Sequence, residues 1–491
     1  MTKEISDKLT YEDLKLGEKA VDMYEAGATP EEIAKNSPVY LNTSPVFNNL
    51  NVTDLAIAGV LGGLNQIYVG DSGTGKSQLA QDFYNHYFGG NKKDGGEAVK
   101  IRGYKLTERT LDELVFEEIN LEKGRWDLTN NIDATLFLVD EINRAPTIRQ
   151  NDCFELGDGI LNRNGRDLVA GREGYNLLIA TANLGNGDFQ GTFDIDKAMY
   201  NRLGIAIDFD YKKFAPSFDN KEFLKVLREA DSGIKFSPKR NIVNKIIGAN
   251  KEILRNSTDL GPEASAVLGF LEHGLNNCSK YDTTKNEKWY VQNQTCQVCP
   301  LNKKSPKEPA LCSTIKSPVR RTIEATRQYA AALDYLIRLK DPNSEVSGRD
   351  LMFKAFELTG AYQNLLNPSL LQQKYLKENP EMMKDVIEEL KKDYIKNEDR
   401  ILSTLNSATK GIPPNSLFYY KKDEKSDSVI SSGYEKLSSG VIQKLKAKGG
   451  DADRTPFEFD DKGTLGYSWV PKSAEFNLKR RAKSNRETKQ N

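Results

Sequence analysis

The chain of 491 residues has no excess of charge of either sign, because 70 lysines and arginines balance 70 aspartates and glutamates. A net charge of zero gives no overall field that would attract nucleic acid or a membrane surface. The longest apolar run, residues 55–64, is half of the roughly 20 residues that a membrane-spanning helix needs. The first residues alternate acid and base and lack the apolar segment of a signal peptide. These absences predict a soluble, cytoplasmic protein without a membrane partner.

Cysteine is scarce, with 5 residues in the chain. Disulfides are rare in the cytoplasm, so we expect thiols or metal ligands. Four of the cysteines lie close together, namely Cys278, Cys296, Cys299 and Cys312. Two cysteines separated by two residues form a natural bidentate unit for a soft cation, and this spacing indicates Zn²⁺ or a [4Fe–4S] cluster, with unligated thiols as the remaining alternative. The fifth, Cys153, is expected to be a small buried core residue.

Short apolar runs alternate with helical stretches between residues 50 and 210, and this pattern predicts an α/β fold with a parallel sheet and helices on both faces. The predicted strands are 66–70, 98–104, 135–140, 176–183 and 204–210. Their continuous apolar character is typical of strands covered on both faces. The expected organisation is a helical segment at 1–45, the α/β core at 46–215, a helical lid at 216–345 with the cysteine insertion at 278–312, a helical region at 346–410 and a partly disordered tail at 411–491 with a basic end.

A glycine-rich loop with the pattern G-x-x-x-x-G-K-[ST] follows the first predicted strand and precedes a helix. Glycines allow successive N–H groups to converge on phosphate oxygens, and the helix N-terminus adds the positive end of its dipole. Lys76 is expected to bind the β and γ phosphates and the Ser77 hydroxyl to bind Mg²⁺. The residues predicted to bind a nucleotide here are Gly70, Asp71, Ser72, Gly73, Thr74, Gly75, Lys76, Ser77 and Gln78.

Two acids end the third predicted strand, in the stretch LFLVDEINRAP. We expect Asp140 to hold Mg²⁺ with Ser77, and Glu141 to polarise the attacking water. Asn183, in ATAN at the end of the next long strand, is in position to orient the same water. Arg202 follows a short helix in NRL, where a single arginine is by itself more often a solvated surface charge.

The order of the glycine loop, LVDEINRAP, ATAN and NRL closely resembles AAA+ ATPases, and DEINRAP resembles the MoxR branch, which is related to the dynein-like and McrB-like groups. The resemblance covers residues 50–335. It implies that the loop is a P-loop NTPase Walker A motif, Asp140 and Glu141 form Walker B, Asn183 is sensor 1 and Arg202 is the arginine finger. The resemblance thus implies an ATPase that uses ATP and Mg²⁺.

A second part of the resemblance concerns the lid and the assembly. Arg320 or Arg321, in SPVRRTIEATRQ, would be the sensor 2 arginine that binds the nucleotide, although Val319 interrupts the family's Ser-Pro-Arg pattern. An arginine finger that acts on a neighbouring subunit implies self-association, with a hexameric ring as the family expectation. The implied function is chaperone-like remodelling of a protein client, often a partner with a von Willebrand A domain.

A predicted hairpin at 155–174, with the turn signal NRNGR, leaves an alternative function open. Such a hairpin faces the pore or the substrate in ring ATPases, and an ordinary surface hairpin is the other interpretation. Arg163, Arg166 and Arg172, the basic end at 477–491 and an iron–sulfur cluster would favour a nucleic-acid motor or the NTPase subunit of a McrB-like nuclease system. A scaffold that binds ATP and hydrolyses little of it is a third alternative, disfavoured by Asp140, Glu141 and Arg202.

Overall fold

The computed structural model describes residues 8–16, 26, 27, 29, 45–107, 129–163, 166–183, 193, 195, 197–211, 214, 239–258, 260–274, 314–316, 318–395 and 398. The chain divides into two compact units. The first comprises Met1–Thr258, Glu324–Val346 and Lys354–Asn364, and the second comprises Asp259–Ile323, Ser347–Phe353 and Leu365–Asn491. The predicted nucleotide loop therefore belongs to the first unit.

A five-stranded parallel sheet forms the centre of the first unit. Its strands are β1 (Gln66–Val69), β2 (Ala98–Arg102), β3 (Leu136–Asp140), β6 (Leu177–Ala182) and β7 (Ile205–Asp208), in the order β2-β3-β6-β1-β7. All neighbouring strands are parallel. Strands β1, β6 and β7 are buried along their whole length, as expected for strands covered on both faces. The predicted α/β fold with a parallel sheet is confirmed, and each strand begins or ends one or two residues inside its predicted range.

The described helices flank these strands in chain order. They are α1 (Tyr11–Leu14), α2 (Val52–Gly62), α3 (Lys76–His86), α4 (Thr147–Gln150), α5 (Asp152–Asp158), α6 (Lys197–Tyr200), α7 (Val243–Asn256), α8 (Gly261–Gly269), α9 (Arg320–Lys340), α10 (Gly348–Gly360), α11 (Pro368–Lys374) and α12 (Asn379–Ile395). Short 3-10 turns occupy Lys92–Asp94, Gly103–Lys105, Asn130–Asp133 and Ile142–Arg144. None of the helices in the described ranges is long and apolar enough to cross a membrane.

Helix α2 shows how the local sequence defines an element. Asn51 accepts the N–H of Asp54 at 2.9 Å, and the Asp54 carboxylate accepts the N–H of Asn51 at 3.0 Å, which is a capping box at the helix start. The helix ends at Gly63 in the left-handed region. Asn250 of α7 donates to the carbonyl of Leu61 at 2.9 Å. These contacts fix a buried helix immediately before the strand that carries the nucleotide loop.

An antiparallel hairpin lies between α5 and β6, as the turn signal predicts. Its strands are β4 (Ile160–Arg163) and β5 (Arg166–Val169). Leu161 is buried and Leu168 packs on the core, whereas Ile160 and Val169 are 50% and 72% exposed on the opposite face. The hairpin is thus attached to the sheet domain by one face only.

Aromatic packing holds part of the second unit together. The buried ring of Tyr394 in α12 lies 5.7 Å from that of Phe270 and 5.8 Å from that of Phe353, between ring centroids. An ion pair of 2.6 Å joins Arg349 to Glu398. The predicted tail at 411–491 lies outside the described residues.

Candidate nucleotide-binding site

The glycine loop connects β1 to α3 at the carboxyl edge of the sheet, where ligands bind in open α/β folds. Gly70, Gly73 and Gly75 have φ angles of 139°, 83° and 96°, which side-chain-bearing residues rarely adopt. Gly75 is also the residue at which α3 begins. The glycines of the motif therefore stand where this backbone conformation requires them.

Lys76 is the first residue of α3, and its residue surface is only 5% exposed. Its Nζ donates to the backbone carbonyl of Asp71 and lies 3.3 Å from Oγ1 of Thr74. Burial lowers the pKa of the Lys76 ammonium, and the neighbouring carboxylates, first among them that of Asp210, act against this shift. The loop thus holds a cation at its own centre.

Ser77 and Asp140 meet, although they come from different elements. The Ser77 hydroxyl donates to Oδ1 of Asp140 at 2.9 Å. The Thr181 hydroxyl, from β6, donates to the same oxygen at 2.7 Å. Oδ2 of Asp140 lies 3.7 Å from Nζ of Lys100. A hydroxyl and a carboxylate side by side are the hard oxygen ligands that Mg²⁺ prefers, so the residues fit the expected metal.

Glu141 has an unusual backbone conformation for a glutamate, with φ 54° and ψ 53°. This left-handed conformation costs about 1–2 kcal/mol for an L-residue, and such strain concentrates at functional sites. The Glu141 N–H donates to Oγ1 of Thr181 at 2.9 Å, and its carboxylate pairs with Nε of Arg144 at 3.0 Å. A Cβ on Gly103 would lie 2.0 Å from the Glu141 carbonyl oxygen, so only glycine fits there. The contacts on all sides hold Glu141 in this conformation.

Asn183 lies directly after β6 and is held by Asn143. Nδ2 of Asn143 donates to the Asn183 carbonyl at 2.7 Å, and the Asn183 N–H donates to Oδ1 of Asn143 at 3.4 Å. The sequence motifs do not single out Thr181 or Asn143. The available signal was that each is a polar residue in a buried stretch, where a hydroxyl or amide needs a partner.

Arg202 lies at the other edge of the sheet. Its carbonyl accepts from Nδ2 of Asn65, the residue before β1, at 3.2 Å. Its Nε donates to Asp158 at 2.9 Å, and its guanidinium lies 4.3 Å from the ring centroid of Phe154. A strand of this length spans about 13 Å, so the residues brought together around the loop do not include Arg202.

The other predicted site residues lie elsewhere. Arg320 and Arg321 are the first two residues of α9, exposed and within the second unit. Cys278, Cys296, Cys299 and Cys312 lie outside the described residues, so Zn²⁺ or an iron–sulfur cluster stays a prediction without support from the structure. In the part of the chain that is described, no group of three or more His, Cys, Asp or Glu residues has a metal-binding arrangement. Cys153 is buried, as predicted.

No protein-family description and no curated protein matches the chain. Among solved structures, it is similar to one from Cytophaga hutchinsonii described as a "putative ATPase", at 15% identity over 67% of this chain and 87% of that chain, with a TM-score of 0.44. It is also similar to a full-length MCM homolog from Methanopyrus kandleri, at 15% identity over 63% of this chain and 54% of that chain, with a TM-score of 0.36. Likenesses at these TM-scores carry no argument about function. The chain's own parallel sheet and glycine loop assign it to the P-loop α/β fold.

Proposed function

We propose that this chain is a Mg²⁺-dependent ATPase of the AAA+ type, of the MoxR branch, that works as an oligomeric, chaperone-like motor on a protein client. The observation that carries the ATPase proposal is the 2.9 Å hydrogen bond between Ser77 and Asp140. It joins the end of the glycine loop to the end of β3, which are 63 residues apart in the sequence. Two motifs that act on one nucleotide need this proximity.

The residues divide the work on the nucleotide. Lys76 supplies a positive charge for the β and γ phosphates, and the N–H groups of the loop and of the first turn of α3 supply donors. Ser77 and Asp140 would hold Mg²⁺, which neutralises charge on the phosphate oxygens when bound. Glu141 accepts hydrogen-bond density from the attacking water and draws its proton away from the phosphate, and Asn183 orients that water.

The assembly is part of the same proposal. Arg202 lies at the edge of the sheet opposite the loop, which supports its action on the nucleotide of a neighbouring subunit. We expect a ring, hexameric by resemblance, with Arg320 or Arg321 contributing from the lid. A von Willebrand A domain protein is the expected kind of client, and the cytoplasm the expected location.

The test is nucleotide binding and hydrolysis by two variants with matched controls. Lys76→Ala should lose binding of a fluorescent ATP analogue, because the cation at the centre of the loop is gone. Glu141→Gln should bind ATP but hydrolyse it about 10²–10⁴-fold more slowly, the usual contribution of a general base. Lys251→Ala and Glu173→Gln remove an exposed ion pair of 2.6 Å and serve as controls for the same chemical changes. Hydrolysis by Glu141→Gln at the wild-type rate would refute the proposed mechanism.

The nucleic-acid motor is separated by the same assay. Arg172 is already engaged, since its guanidinium pairs with Glu97 at 3.0 Å and donates to Asn244 at 2.6 Å. We therefore expect single- and double-stranded nucleic acids to leave the ATPase rate unchanged. Strong stimulation would favour the McrB-like alternative.

A further inference from the structure

An acidic side chain that the motifs do not include holds the glycine loop. Asp210 accepts the N–H of Asp71 with both carboxylate oxygens, at 2.9 and 2.7 Å. The contact follows from the sheet order, because β7 lies beside β1 with Val69 opposite Asp208. The two chains continue side by side beyond the strands, where the N–H of Phe209 donates to the carbonyl of Val69 at 2.8 Å.

The loop is shaped to admit this carboxylate. A Cβ on Gly70 would lie 3.1 Å from Oδ1 of Asp210 and 3.1 Å from Cβ of Phe209, and Gly70 has a φ of 139°. The approach is therefore close and favours glycine. The backbone of Asp210 is held in turn, since its N–H donates to Oδ1 of Asp208 at 3.0 Å and the Tyr362 hydroxyl donates to Oδ2 of Asp208.

The sign of this charge is opposite to what a phosphate site needs. Asp210 hydrogen-bonds the second residue of a loop whose other groups, the Lys76 ammonium and the start of α3, favour anions. A carboxylate beside bound phosphates repels them, and it stabilises the lysine cation when no phosphate is there.

We propose that Asp210 is a positioning residue of the nucleotide site, which anchors the loop through Asp71 and, by its charge, weakens nucleotide binding and so speeds nucleotide release. This inference rests on the proposed function. It makes Asp210 the residue that separates two properties of the loop, its order and its affinity.

Asp210→Asn tests the charge while an amide oxygen still accepts from Asp71. The Kd of the wild-type protein and of the variant for a fluorescent ADP is measured between 0.05 and about 1 M salt, since salt screens charges over about 3–10 Å in that range. We expect the variant to bind about fivefold more tightly at low salt, with slower release, for two charges some 8 Å apart in water. The gain should disappear at high salt. Asp94→Asn, which removes an acid just before the amino edge of β2, should change neither quantity.

The outcomes are distinct. Equal or weaker ADP binding by Asp210→Asn, or a gain that salt does not reduce, overturns the role of the charge. Asp210→Ala should bind ADP more weakly than Asp210→Asn because it also loses the acceptor for Asp71, and equal affinities of the two variants overturn the anchoring role. If the wild-type protein itself binds neither ATP nor ADP, it is the proposed function that fails.

Discussion

Two side chains tie the end of β3 to the end of β6. The hydroxyl of Thr181 donates to Asp140 at 2.7 Å and accepts the N–H of Glu141 at 2.9 Å. Asn143 binds both the N–H and the carbonyl of Asn183. The geometry of the acids and of Asn183 therefore depends on residues that do not need to touch the nucleotide.

Replacing Asn143 by Ala should slow hydrolysis without weakening nucleotide binding. The backbone at Asn183 loses both partners, and a displacement of about 1 Å at a catalytic group costs up to about a hundredfold in kcat. Steady-state kinetics and ATP binding would show a fall in kcat with an unchanged Kd. Asn162→Ala, at an exposed hairpin position, is the control. An unchanged kcat in Asn143→Ala would mean that Asn183 is positioned by other contacts.

The N-terminal segment packs against the end of the helix that begins at the nucleotide loop. Nε2 of His86, near the end of α3, donates to the carbonyl of Asp13 at 3.1 Å, and the Tyr87 hydroxyl donates to the carbonyl of Leu14 at 2.6 Å. Asp13 pairs with Lys245 of α7 at 2.9 Å. His86 is buried, and its Nδ1 has no partner among the described atoms. A second proton on this ring would have no acceptor, and burial accordingly lowers the pKa of His86.

This predicts that stability falls when the pH drops below about 6.5, the ordinary pKa of histidine. There the unfolded chain binds a proton at His86 while the folded chain does not, so the free energy of unfolding decreases by up to about 1.4 kcal/mol per pH unit. Denaturant unfolding between pH 5 and 8 should show a shallower dependence for His86→Gln. The chain has 2 histidines, so His273→Gln is the natural control. The same slope in His86→Gln and wild type would show that other groups cause the dependence.

The sheet has two functional edges. The glycine loop, Asp140, Glu141 and Asn183 lie at the carboxyl ends of the strands, whereas Arg202 lies beside Asn65 at the amino end of β1. The length of β1, about 13 Å, exceeds the reach of an arginine side chain. A site that contains both Lys76 and Arg202 therefore needs two copies of the chain.

Mixing two inactive variants tests this arrangement. Arg202→Ala alone should hydrolyse ATP about 10³-fold more slowly, as expected for loss of an arginine finger, and Lys76→Ala alone should be inactive. In an equal mixture of subunits, about a quarter of the sites would pair an intact loop with an intact Arg202, so about a quarter of the wild-type activity should return. Sedimentation with ATP would report the assembly. A mixture no more active than the sum of its parts would exclude action between subunits.

The five strands and the glycine loop were predictable because they follow from local patterns. A run such as LFLVD is apolar without interruption, which only a strand covered on both faces accommodates at that length, and Gly73 and Gly75 mark the positive φ angles of the loop. Asp140 and Glu141 were readable because they end such a run. The chain itself thus states where the phosphate loop and the acids lie.

The partners of these residues were not readable, because they depend on which strands become neighbours. Thr181 reaches Asp140 across 41 residues and Asp210 reaches Asp71 across 139, since β6 lies beside β3 and β7 beside β1. Local sequence specifies each strand through interactions between adjacent residues. The order of strands arises from long-range packing, and it alone places an acid on the loop, a threonine on the Mg²⁺ ligand and Arg202 at the far edge.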